Sequence, residues 1–132
     1  MALLLVVNLK QKVKMIILKI LIGVVFFSFA NAEPVKKNEA YYQKKFCDSL
    51  NGKMEFVLDD KSRVDCLTND YAIEVDFEKK PYECAAQALY YSIKTGKRPA
   101  CALITSKKTS RQITRLETLA AAYNIKVIFI ER

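Results

Sequence analysis

From Glu39 onward the apolar positions of this chain switch between a helical repeat of about 3.6 residues and the strand repeat of two. Tyr42, Phe46 and Leu50 recur four apart with Cys47 beside them, which predicts an amphipathic helix over Glu39 to Leu50, ended by Asn51-Gly52. Met54, Phe56 and Leu58 alternate with Glu55 and Val57, predicting a strand with the first three on one side. Arg63 to Leu67 and Tyr71 to Phe77 predict two more, across the polar turns Asp59-Asp60-Lys61-Ser62 and Thr68-Asn69-Asp70. Three short strands on tight turns form an antiparallel meander. Pro81 suits the first turn of a helix that runs to Lys94 and stops at Thr95-Gly96. Ala100 to Thr105 is continuously apolar, the mark of a strand buried on both faces, so strand, helix and strand imply a parallel crossover. Ser110 to Tyr123 predicts a last helix, capped by Thr109 or Ser110, and Lys126 to Ile130 a last strand. The order α-β-β-β-α-β-α-β predicts one mixed α/β domain.

The first 32 residues stand apart. Lys19, an apolar run from Ile20 to Phe29 and Ala30-Asn31-Ala32 have the layout of a secretory signal peptide with its cleavage site. Met15 is an alternative start, because residues 1–14 add only a second apolar run and three lysines. The weaker alternative is a membrane anchor, but Ile20 to Phe29 is about half of the roughly 20 apolar residues a span requires. The expectation is a signal peptide over 1–32, a single domain over 33–132, no lasting membrane insertion after cleavage, and a periplasmic or secreted product. Cleavage would remove Lys10, Lys12, Lys14 and Lys19 and no acid, so the formal charge of +8 would fall to +4. That mild excess is compatible with a polyanionic partner without identifying one.

All four cysteines, Cys47, Cys66, Cys84 and Cys101, lie in the expected mature part, where an oxidising compartment preserves disulfides. Cys66 follows Asp65, points away from it on a strand, and is expected to bridge Cys47 on the preceding helix. Cys84 and Cys101 are left as a second bridge or as buried thiols. With no histidine and no C-x-x-C, a zinc site is disfavoured and a Ser-His or Cys-His nucleophile is excluded.

The chemistry concentrates in Arg63 to Tyr91. Strand alternation places Val64 and Cys66 opposite Asp65, and puts Glu74 and Asp76 together on the face away from Ile73, Val75 and Phe77. If Asp65 pairs beside them, three carboxylates meet, which is unfavourable unless a cation joins them. A hard divalent ion such as Mg²⁺ or Mn²⁺ suits such oxygen ligands. On the helix after Pro81, Glu83, Gln87, Tyr91 and Lys94 share a face. The competing reading is plain: paired acids on a strand are often only solvated, Glu55 can face water, Tyr90 and Tyr91 can edge the core, and Lys107-Lys108 can be an ordinary loop.

Val64-Asp65, Glu74-Val75-Asp76 and this order of elements resemble the PD-(D/E)xK nuclease superfamily and its restriction-endonuclease-like fold. The resemblance covers about Phe46 to Ile104, with the last helix and strand matched only by architecture. It implies an αβββαβ core, a mixed sheet of antiparallel meander plus parallel crossover strand flanked by helices, and an extra C-terminal helix and strand. Gln87-Ala-Leu-Tyr-Tyr91 resembles the Q-x-x-x-Y motif of RecB-like members, and Gly52-Lys-Met-Glu55 their upstream G-x-x-E. More narrowly, the chain is similar to a group of small bacterial proteins described only as uncharacterised. By this resemblance Asp65, Glu74, Lys80 and Gln87 are catalytic, and Asp65, Glu74, Asp76 and Glu55 hold Mg²⁺ or Mn²⁺. Asp76 occupies the place where the family has its lysine, so Lys80 is expected to supply the ammonium. Tyr91 is expected to pack beside a nucleotide with Lys94 on the same face, while Lys97, Arg98, Lys107, Lys108, Arg111 and Arg115 would contact the phosphate backbone.

The resulting expectation is an exported, metal-dependent nuclease acting on nucleic acid, DNA before RNA. A domain this small leaves room for a homodimer or a partner. Two alternatives stand beside it: a catalytically silent nucleic-acid-binding or protein-interaction module on the same scaffold, and a disulfide-stapled structural protein.

Overall fold

In the computed structural model, which describes residues 11–19 and 37–132, the chain divides into two units, Met1–Val35 and Lys36–Arg132. Residues 11–19 are helical. The apolar run Ile20 to Phe29 and the cleavage site expected at Ala30-Asn31-Ala32 lie outside the described residues. Among the described residues no helix is long and apolar enough to cross a membrane.

In the second unit, helix α1 (Glu39–Ser49) starts where the Asn38 side chain accepts a hydrogen bond from the Tyr41 amide at 3.1 Å. Caps of this kind contribute about 1 kcal/mol. Asn51, at φ 51°, turns the chain out of the helix into β1 (Lys53–Val57), β2 (Arg63–Leu67) and β3 (Tyr71–Phe77). Helix α2 (Pro81–Thr95) has its proline in the first turn and ends on Gly96 at φ 69°, a conformation in which a side chain would be strained. After β4 (Arg98–Thr105), helix α3 (Arg111–Tyr123) is capped by Ser110, which accepts from the Ile113 amide at 3.2 Å. Asn124 at φ 53° ends it, and β5 (Lys126–Glu131) follows.

The five strands form one mixed sheet in the order β1-β2-β3-β4-β5. The first two pairings are antiparallel and the last two parallel, so the meander and the crossover are both present, with β5 beside β4 as a second crossover strand. On one face Tyr42 and Cys47 of α1 pack against Ile73, Val75, Ala102 and Ile104. On the other, Cys84 and Ala88 of α2 and Ile113 and Leu116 of α3 pack against Cys101 and Leu103. Each face carries one disulfide, Cys47–Cys66 from α1 to β2 and Cys84–Cys101 from α2 to β4, with Cα separations of 5.5 and 5.7 Å. Both bridges are compatible with the oxidising compartment expected of an exported chain.

The strict alternation expected of β1 and β2 does not hold. Cys66 packs with Tyr42 and Ile73, whereas Val64 packs with Leu58, Ala72 and Tyr91, so the two do not share a surface. The register is continuous on both sides, Met54↔Cys66 and Phe56↔Val64. Both strands therefore turn over at the intervening pair, Glu55 and Asp65, and Glu55 takes the left-handed φ of 53° that makes this possible. Leu58, expected in the strand, lies in the following turn, where its amide donates to Ser62 O at 2.9 Å.

Gly52 has a reason beyond ending α1. A Cβ there would sit 2.5 Å from Cys66 Sγ and 2.8 Å from Cys47 Sγ, so only glycine lets the backbone pass the bridge. Gly52→Ala is predicted to lower stability by about 1–3 kcal/mol. In a Cys47→Ala/Cys66→Ala background the same change should cost much less; thermal denaturation of the four variants reads the coupling, and an equal cost in both backgrounds would contradict it.

Candidate active site

Pairing between β2 and β3 ends at Cys66↔Ile73 although both strands continue. The next step of that register sets Asp65 across from Glu74. There the Val75 amide donates to Asp65 Oδ2 at 2.8 Å, so a side-chain oxygen replaces a ladder carbonyl and the strands part around it. The acids collect in this wedge.

Glu74 and Asp76 are not solvated: they are only 6% and 2% exposed. Asp76 Oδ1 accepts from the Phe77 amide at 2.8 Å and lies 3.4 Å from Lys80 Nζ. Glu74 Oε2 meets no donor among the described residues. Burial raises all three acids. Asp65 rises to about 6, through burial and the charges of Glu55 and Asp76, against the Val75 hydrogen bond. Asp76 rises to about 6, because burial and Glu39 outweigh the opposing Lys80. Glu74 is pushed up to about 9, by burial first and then by Asp65, Asp76 and Glu39. At neutral pH the cation-free site therefore holds Glu74 as the neutral acid, able to share its proton with Asp65.

Two members of the site were not expected from the sequence. Glu39, in the first turn of α1, reaches Asp76 closely enough to raise it. Gln43, one turn on and buried, donates from Nε2 to Glu55 Oε1 at 2.7 Å and to the Asp65 carbonyl at 3.3 Å. It ties α1 to both residues of the turned-over pair. The signal for both was the four-residue spacing of Glu39, Gln43 and Cys47, which places them in one line on the helix face that carries the bridge to Cys66.

The remaining expected residues divide. Glu55 joins the acid side of the wedge, held by Gln43 and by Arg63 at 3.2 Å. Lys80 stands at the start of α2 with its ammonium between Asp76 and Glu83, at 3.4 and 3.6 Å; Asp76 above all raises its pKa, so it stays charged. Gln87 Oε1 accepts from Tyr91 Oη at 3.1 Å. Tyr91 itself corrects the expectation of a nucleotide platform, because its ring is buried with Leu58, Val64 and Ala72, and only its hydroxyl faces Gln87. Lys94 pairs with Asp59 at 2.6 Å, as neighbouring Tyr90 bonds Asp60, so both fasten α2 to the β1–β2 turn. The expected backbone-contacting cations do not form one surface. Lys97 and Arg98 lie at the start of β4, bonded to Asn69 O and stacked on Tyr71, whereas Lys107 and Lys108 follow its far end.

The arrangement offers oxygen donors from four strand acids, an ammonium and an amide in one wedge, a set suited to a hard cation and a phosphoryl group. As the side chains stand, no three of these acids among the described residues converge on a single point. No protein family, curated protein or solved structure matches this chain.

Because the folded site binds protons more tightly than the unfolded chain, its contribution to stability is full below about pH 4 and is lost as pH rises through about 6 for Asp65 and Asp76 and about 9 for Glu74. Keeping Glu74 neutral at pH 7 costs on the order of 3 kcal/mol relative to the unfolded chain. Glu74→Gln should therefore raise the melting temperature of the cation-free protein above about pH 7 and flatten its fall toward about pH 9. Calorimetric melting across that range checks it, and a variant no more stable than the wild type at high pH would contradict the assignment.

Proposed function

We propose that this chain is an exported, metal-dependent phosphodiesterase acting on nucleic acid, on a restriction-endonuclease-like arrangement of the PD-(D/E)xK kind. The observation that carries the reading is that half-buried Asp65 meets the buried Glu74 and Asp76 where β2 and β3 part, beside Lys80. A fold gains nothing from two buried carboxyls beside a third unless a cation or a reacting group uses them. Glu74 Oε2, which meets no donor among the described residues, and the carboxylate donors around it fit a hard divalent ion, Mg²⁺ or Mn²⁺. Such an ion would neutralise charge growing on the phosphoryl oxygens and lower the pKa of a bound water.

The chain's own residues then divide the work. Asp65 and Glu74 would hold the ion, and Glu55 and Asp76 would complete the donor set. Asp65 Oδ2 is fixed by the Val75 amide, so Oδ1 is the oxygen it offers. To act as a ligand, Glu74 would have to release its proton to solvent. Lys80, half exposed and charged, is placed to orient the attacking water or to donate to a phosphoryl oxygen. Gln87, with its carbonyl engaged by Tyr91, presents its amide NH₂ to a phosphate oxygen. The disulfides and the leader pattern support export, to the periplasm or the medium.

A second reading, the catalytically silent binding module, draws on one observation: the ammonium of Lys80 is already engaged by Asp76 and Glu83. The two readings separate in one experiment. The full chain is incubated with single- and double-stranded DNA and RNA, with and without Mg²⁺ or Mn²⁺. The nuclease reading predicts cation-dependent cleavage that Asp65→Ala and Glu74→Ala each reduce by about 10²-fold or more with the fold retained, and that Lys80→Ala reduces by about 10²-fold. Cleavage undiminished in Asp65→Ala and Glu74→Ala would sink it, and no cleavage with any cation would favour the binding module.

A further inference from the structure

Three concavities adjoin one another at the carboxyl ends of the parallel strands β3, β4 and β5. The first, of about 380 Å³, lies between α1 and β5 and is lined by Lys37, Tyr41, Lys45, Phe46, Phe129 and Arg132 among others. The second, of about 250 Å³, runs past Phe77, Lys79 and Lys107 and shares Arg132 with the first. The third, of about 570 Å³, lies over Lys107 and Lys108 and shares Phe129 with the first. Ligands of open α/β sheets bind at this end of the strands.

The charged part of the lining is predominantly cationic. Six cations, Lys37, Lys45, Lys79, Lys107, Lys108 and Arg132, stand against two acids, Glu78 and Glu131, of which Glu78 pairs with Lys107 at 3.3 Å. Aromatic rings share the lining with the cations: Tyr41 and Phe46 from α1, Phe129 from β5 at 49% exposure, and Phe77 with the Arg132 guanidinium 5.6 Å from its ring centre. Three lining residues stand next to site residues in sequence. Lys37 precedes Glu39, Phe77 follows Asp76 and Lys79 precedes Lys80.

We propose that this cleft is the track for a single-stranded nucleic acid, with phosphates on the cationic side chains and unpaired bases against the recessed rings. A concavity lined by both cations and aromatic rings suits single strands, because every base has a face to stack and the backbone supplies the charge. In a duplex the bases are stacked on each other and offer only their edges, so rings inside a concavity gain nothing from it. The inference rests on reading the acidic wedge as a phosphodiesterase site and gives that site its substrate class. The other occupant such a face could take is a second copy of the chain, added along the open edge of β5.

Fluorescence anisotropy of the full chain with a labelled oligothymidylate and with a labelled duplex, in chelator and across a salt series, tests this without cleavage. The expected result is single-strand affinity about tenfold or more above duplex affinity, falling with salt, and weakened about tenfold by Phe129→Ala and by Lys45→Glu, with circular dichroism unchanged. Equal or tighter duplex binding, no binding at low salt, or variants without effect would overturn it. So would a dimer, seen in sedimentation, that Phe129→Ala dissociates while the oligonucleotide does not bind. Because the readout is binding in chelator, single-strand binding without any cation-dependent cleavage would fail the catalytic reading and leave the track standing. Cleavage without preference for the single strand would do the reverse.

Discussion

Burying like charges at the centre of a sheet is the constraint on which the rest of this structure turns. Asp65, Glu74 and Asp76 share one wedge, and two of them are almost wholly removed from water. Each local irregularity answers to that fact. Asp65 gives its carboxylate to the Val75 amide, which parts β2 from β3. Glu55 accepts a left-handed backbone so that both strands of the first hairpin turn over beside Asp65. Gln43 reaches from α1 to hold Glu55 and the Asp65 carbonyl, and Lys80 closes the other side against Asp76. Backbone strain, a buried amide and a half-buried ammonium converge on one place, which is where proteins tend to carry such costs for function.

The two disulfides take on a meaning they would lack in a fold stabilised by its core alone. Cys66 adjoins Asp65, and Cys101 pairs in register with Glu74, so each bridge clamps a helix onto the strand position next to a site acid. Closing loops of 19 and 17 residues stabilises by about 3 kcal/mol each on the chain-entropy account. That is the size of the cost of keeping Glu74 neutral at pH 7, so one bridge is enough to offset the most perturbed acid.

Much of the fold was legible because it rests on local periodicity and turn chemistry. The eight elements, the meander and the crossover follow from alternation, helical spacing, Pro81 and the Asn and Gly stops. The Cys47–Cys66 bridge followed from Cys66 pointing away from Asp65. The turn-over at Glu55 was not legible, since nothing marks a glutamate for positive φ, and it broke the assumption that Val64 and Cys66 share a face. The pairing of Cys84 with Cys101 depended on how α2 lies across β4, which spacing alone leaves open. Glu39 and Gln43 read as the polar side of an amphipathic helix; their line with Cys47 gains meaning only once the bridge fixes that face against β2. Tyr91 and Lys94 share a helix face with Gln87, as expected, but the depth of α2 against the sheet decides that one is core and the other a fastening for a turn.

Calorimetric titration of Mn²⁺ or Mg²⁺ into the full chain at neutral pH, repeated in buffers of different ionisation enthalpy, tests the central claim most directly. If the wedge holds a divalent cation, binding should release about one proton per ion, because Glu74, raised to about 9, must lose its proton to ligate. Binding should be lost in Asp65→Ala. Heat with no proton release, binding untouched by that substitution, or no binding at all would contradict the account.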